Sequence, residues 1–103
     1  MKIIKILSEK IEEEIKDAHD YVKMALEYKD TYPELARTLY NISNQEMEHM
    51  NLLHGEVTEI IKKYRETNGE PPADMMAVYE YLHKKQIENS AEVKMMQNMY
   101  KGS

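Results

Sequence analysis

The chain has 103 residues, which is room for one helical domain spanning 1–103. Charged residues make up 32% and hydrophobic ones 42%, with three Gly and three Pro, the composition of an all-α, water-exposed fold. A formal charge of −5 argues against nucleic acid as the main partner and suits the attraction of cations. The absence of Cys excludes thiolate metal sites, thiol catalysis and a disulfide framework.

Phe and Trp are missing, so the bulk comes from aliphatic residues, eight Tyr and nine Met. Such a core is thin for a domain of this size, and association of copies would bury more. The opening MKIIKIL is too short for a signal-peptide apolar run and leads into acidic helix. No segment approaches the length of a membrane span, and a cytoplasmic setting is expected.

Helix 1 is expected to start between Ile3 and Glu9, with Ser8 as a possible N-cap. Its apolar or small positions recur at three and four: Ile4, Leu7, Ile11, Ala18, Tyr21, Ala25, Tyr28. Glu14 occupies the one gap in that rhythm. Asp30-Thr31-Tyr32-Pro33 is a turn, and Pro33 fits the first position of a second helix, where its missing N–H is no loss. So short a connection makes the two helices antiparallel neighbours.

Helix 2 is expected from about Pro33 to about Thr67, stopped by Asn68-Gly69. Its stripe reads Leu35, Leu39, Ile42, Leu53, Val57, Ile60, Tyr64, interrupted by Glu46 and His49. Gly69-Glu70-Pro71-Pro72 cannot be helix. Helix 3 follows from Ala73 or Asp74 to Tyr100, on a less regular stripe of Met76, Tyr79, His83, Ile87, Ser90, Val93 and Met96 or Gln97.

The two interruptions meet. In a hairpin turning between Thr31 and Tyr32, Glu14 lies level with His49, and Glu46 is offset by roughly 4.5 Å at about 1.5 Å per residue. Glu46 and His49, three residues apart, share one helical face. Burying these groups unpaired would cost several kcal/mol. Either they satisfy one another as a polar pair fixing helix register, or they hold a cation. Coincidence of depth on two helices favours the cation. Oxygen donors with one imidazole and no sulfur suit iron or manganese, and zinc less well. Dinuclear carboxylate bundles use a Glu from each of two helices and Glu-x-x-His from each of two others. One chain carries half of that set, and a two-fold dimer would complete it.

Glu80 and His83 repeat the Glu-x-x-His spacing on helix 3. Packed back from a turn near Glu70, they fall nearly 20 Å along the axis from the first cluster at about 1.5 Å per residue, so they are expected to be structural or part of an interface. Glu92 is level with Glu46 but off the apolar stripe. His54, about 140° round the helix from His49, cannot share its ion. His19 and the acidic run Glu12, Glu13, Asp17 and Asp20 read as a solvated face. Met95, Met96 and Met99 read as a packing or oligomer surface rather than a soft-metal site.

Residues 44–53, NQEMEHMNLL, resemble the second helix of the ferritin-like superfamily, particularly its rubrerythrin branch. Glu14, with Tyr21 seven and Ala25 eleven residues on, resembles the partner helix; the likeness runs from Ser8 to Glu66. It implies Glu14, Glu46 and His49 as metal ligands, Tyr21 as a hydrogen-bonding residue beside them, a di-iron centre, and oxidation of Fe²⁺ by O₂ or peroxide. The half-length layout is similar to encapsulated ferritins, whose paired chains share one ferroxidase centre. That implies a homo-oligomer, at least a dimer, with an encapsulating or electron-transfer partner left unidentified. Three helices in place of four, and no rubredoxin-like cysteines, set this chain apart from full-length relatives of that superfamily. The rival expectation is a helical interaction or structural module of bacterial or phage origin, with metal absent or only structural.

Overall fold

Two short breaks in an otherwise helical chain dictate the architecture. The computed structural model describes residues 1–102, folded as α1 (Lys2–Tyr28), α2 (Pro33–Asn68) and α3 (Ala73–Gly102). Pro33 sits in the first turn of α2, after Tyr32, whose carbonyl accepts from the amide of Ala36 at 2.9 Å. Gly69 closes α2 at φ 78°, a left-handed conformation that Gly alone adopts without penalty, and its N–H donates to the Arg65 carbonyl at 3.2 Å. Pro71 and Pro72 then prevent continuation until α3 begins.

Ser8 does not cap α1. The helix starts six residues earlier, at Lys2, and Ser8 is buried on its inner side. α2 lies antiparallel along α1. α3 returns antiparallel to α2, packs mainly on α1 and scarcely touches α2. The molecule is a rod of 55 × 19 × 18 Å. Contacts near both ends fix α3 parallel to α1: the Met1 amino group lies 3.0 Å from Met75 Sδ, and Lys29 Nζ donates to the Tyr100 carbonyl at 2.7 Å.

The main core joins Ile4, Ile11, Ile15 and Ala18 of α1 to Val57 and Ile61 of α2 and Val93 of α3. A smaller cluster of Ala25, Ala36 and Leu39 lies toward the α1–α2 turn, flanked by Tyr21, Tyr40 and Tyr100. Ile4, Ile11, Ala18, Ala25, Leu39 and Val57 are buried as expected, but parts of both stripes differ by one residue. Ile15 and Val22 are buried where Glu14 and Tyr21 stand beside them, and Ala36, Ser43 and Ile61 are buried where Leu35, Ile42 and Ile60 were expected. On α3, Val93 is buried as expected, but Ile87 is 58% exposed and Gln86 takes the inner position.

Both core glutamines have specific partners. Gln86 Nε2 donates to the Ser8 carbonyl at 3.3 Å. Gln97 Nε2 donates to Ser43 Oγ at 2.9 Å, and that hydroxyl donates to the Ala18 carbonyl at 2.7 Å. A buried amide is tolerable only when so paired. The chain Ala18–Ser43–Gln97 ties all three helices in one register.

Candidate metal centre

The rotation of the core line decides where the acidic cluster sits. Glu14 lies beside the buried row of α1 on the side away from α3, and Glu46 and His49 occupy the matching edge of α2. The hairpin register expected from the turn is realised: His49 Nδ1 lies 3.4 Å from Glu14 Oε2 and 4.0 Å from Glu46 Oε2. One donor atom from each of the three residues falls within 4.8 Å of the other two, the one such group among the described residues. Exposure is graded: the side chains of Glu46 and Glu14 are 19% and 24% exposed, and that of His49 is 56% exposed. The cluster therefore lines an open margin of the hairpin rather than the centre of the bundle.

The two carboxyls of this margin act on each other. Glu46 is pushed from its ordinary 4.5 up to about 7. The largest cause is a hydrogen bond to the Glu14 carboxyl that only the protonated acid can donate; burial and the charge of Glu14 follow, His49 opposes, and Asp17 adds a smaller push. When both carboxylates are ionised neither has a proton to give, and Glu14 Oε2 is then buried without a hydrogen-bond donor. A buried oxygen in that state is costly. One proton relieves it below neutrality, and a divalent cation would relieve it above. The three donors, two carboxylates and an imidazole, fit iron or manganese.

Helical periodicity surrounds the cluster with apolar side chains. Ile3, Ile6, Met24 and Tyr28 share the Glu14 side of α1, and all four are exposed by more than a third. Leu35, Ile42, Leu53 and Ile60 share the Glu46 side of α2, and Leu35 is 46% exposed. No helix of this chain covers that face.

Tyr21 stands two turns along α1 from Glu14, half-buried against the smaller core cluster, and makes no hydrogen bond to Glu14, Glu46 or His49 among the described residues. Asp17, read from the sequence only as part of a solvated acidic run, contributes to the field on Glu46; its signal was its place three residues after Glu14. Glu92 pairs with His19 at 3.5 Å instead of turning to the cluster. The second Glu-x-x-His is not a cluster of ligands. His83 stacks on His54 with centroids 4.7 Å apart and on Tyr79 at 5.7 Å, in the groove between α2 and α3, while Glu80 is exposed.

No protein-family model, curated protein or solved structure matches this chain.

Proposed function

We propose that the protein binds redox-active metal at a site completed by two copies of the chain. Glu14, Glu46 and His49 of each copy would surround a two-fold axis and hold a pair of iron ions, or manganese in their place. The observation that carries this reading is the convergence of three donor atoms within 4.8 Å beside a buried carboxylate oxygen that lacks a donor. Three donors from one chain leave coordination positions open, and the uncovered apolar margin gives a second copy a surface to cover. The likeness of residues 44–53 to the ferritin-like superfamily points the same way.

In this arrangement Glu14 and Glu46 supply the negative charge that binds the cations, and His49 supplies a neutral nitrogen from the open side. Loading the site displaces the proton that Glu46 carries near neutrality. Bound iron would supply oxidation of Fe²⁺ with O₂ or peroxide as acceptor, in iron handling or detoxification. A non-catalytic helical interaction module is the second reading, favoured by the apolar residues left exposed along the rod.

Anaerobic Fe²⁺ titration followed by elemental analysis tests the first reading. Two ions per dimer are expected for the native chain, and none retained by the Glu46→Ala variant. Equal metal content in the two proteins would overturn it. Retained metal with no O₂-dependent oxidation would leave a structural metal that staples the dimer.

A further inference from the structure

α3 carries apolar side chains on both of its faces, and only one face is used within the chain. Gln86, Val93 and Gln97 point toward α1 and the core. On the opposite side, Ala77, Tyr81, Lys84, Glu88, Ala91 and Met95 follow one another at alternating spacings of four and three, and all are exposed. Four of the six are apolar or small, at the spacing of a two-stranded coiled-coil seam with one charged layer. Tyr81 and Met95 are 55% and 58% exposed.

The order of residues along the seam identifies its occupant. In a parallel pair, Lys84 would meet Lys84, Glu88 would meet Glu88, and the two Ala positions would leave gaps. In an antiparallel pair with its two-fold axis level with Gln86, every mismatch disappears. Lys84 meets the partner's Glu88, Tyr81 meets the partner's Ala91, and Met95 meets the partner's Ala77. Large side chains fall on small ones and opposite charges on each other. On one flank of the seam Ile87, 58% exposed, lies one residue from the level of the axis and so comes close to its own copy.

We infer that the outer face of α3 is a self-association surface, in which two copies pair antiparallel about a two-fold axis at Gln86. This surface lies on the side of the rod away from the Glu14–Glu46–His49 margin, and it does not depend on metal. Its matched length, from Ala77 to Met95, is about 27 Å. A single helical seam of that length lies at the low end of specific interfaces, so pairing is concentration-dependent. With a second copy also covering the metal margin, each chain would have two different two-fold contacts, and the assembly would extend beyond a dimer.

The chain has no Cys, so introduced thiols report on this surface alone. The test uses Tyr81→Cys and Ala91→Cys proteins carrying distinguishable mass tags, oxidised mildly with a chelator present. Mixed together, they should form a cross-linked heterodimer at least about tenfold in excess of either homodimer, because like positions lie roughly 15 Å apart along the axis. No heterodimer, or homodimers in equal yield, overturns the proposal. In sedimentation, Lys84→Glu or Glu88→Lys should each raise the dissociation constant about tenfold, and the double swap should restore it. Failure of the double swap to restore pairing also overturns it. The cross-link is expected unchanged in Glu46→Ala protein, so loss of the metal reading and loss of this one are separately visible.

Discussion

Two copies of one four-residue spacing have different fates in this molecule. Glu46 and His49 lie three apart on α2, and Glu80 and His83 lie three apart on α3. The first pair finds Glu14 across the hairpin, with His49 Nδ1 3.4 Å from its carboxylate. In the second pair His83 finds two flat rings, His54 and Tyr79, and Glu80 stays in water. Spacing sets which side chains share a face; the neighbouring helix at that height decides whether the face becomes a cation site or a stack. A carboxylate opposite a Glu-x-x-His gathers three donor atoms in reach of one another, whereas an imidazole opposite makes a stacked contact.

The comparison breaks most visibly at metal affinity. Glu14→Ala and Glu46→Ala should each weaken Mn²⁺ or Fe²⁺ binding by roughly a thousandfold, since even an outer partner of a ligand is worth 10–100-fold. Glu80→Ala and His83→Ala should leave affinity within about twofold. Calorimetric titration of the four variants checks this. Metal loss in either α3 variant would show that the second copy is a site after all.

The next effect sharpens what a second carboxylate does to the first copy. In metal-free protein, Glu46 holds its proton up to about 7, whereas the unfolded chain releases it near 4.5. The folded state therefore binds more protons across that window, and stability falls as pH rises from 4.5 through 7. Solvent screening at this half-open margin keeps the loss to about 1–2 kcal/mol, below the full 1.36 kcal/mol per pKa unit. Glu46→Gln, neutral at every pH, should flatten the slope, and saturating Mn²⁺, which holds Glu46 ionised, should remove it across the same window. Urea denaturation at half-unit pH steps reads both. An unchanged slope in Glu46→Gln would mean that the two carboxyls do not share a proton.

Much of this arrangement was legible along the chain, and what was not has a physical cause. Pro33, Asn68-Gly69 and Pro71-Pro72 mark both breaks, because each removes a hydrogen bond or requires a backbone that helices lack. Depth followed from counting away from the turn, and it brought Glu14 to His49. Azimuth followed only in part. Ile11, Ile15, Ala18, Val22 and Ala25 form the buried row of α1, yet Leu7, Tyr21 and Tyr28 kept time with a second row beside it. When apolar residues occupy both i and i+1, the period cannot choose between rows about 100° apart. The third helix chooses. By settling over Ile4, Ile11 and Ile15 it leaves Glu14 and Glu46 on the margin, which is why the acidic cluster is half-open rather than central. Gln97 stood on the expected stripe as the alternative to Met96, but Gln86 did not, because nothing in α3 itself shows that a carbonyl of Ser8 awaits it.

The smallest effect belongs to the second copy. Burial, and then the charge of His83, hold His54 below its ordinary 6.5. A base whose folded pKa is depressed costs stability as pH falls through its unfolded value, because the unfolded chain takes up the proton first. Acidification below 6.5 should therefore loosen α3 from α2, where the two helices have little else between them. The groups around the pair are Lys62, Arg65 and Glu66 on α2 and Glu80 on α3; with two cations to two anions, they leave burial as the main cause and the charge of His83 as the second. His83→Leu should remove that repulsion while keeping an apolar surface for His54, and so reduce the acid loss. Hydrogen exchange of α3 amides at pH 7 and pH 5.5 measures it: faster exchange at the lower pH in the native chain, with a smaller difference in His83→Leu. Equal acid sensitivity in the two proteins would mean that burial of His54 alone, and not the charge of His83, sets the acid loss.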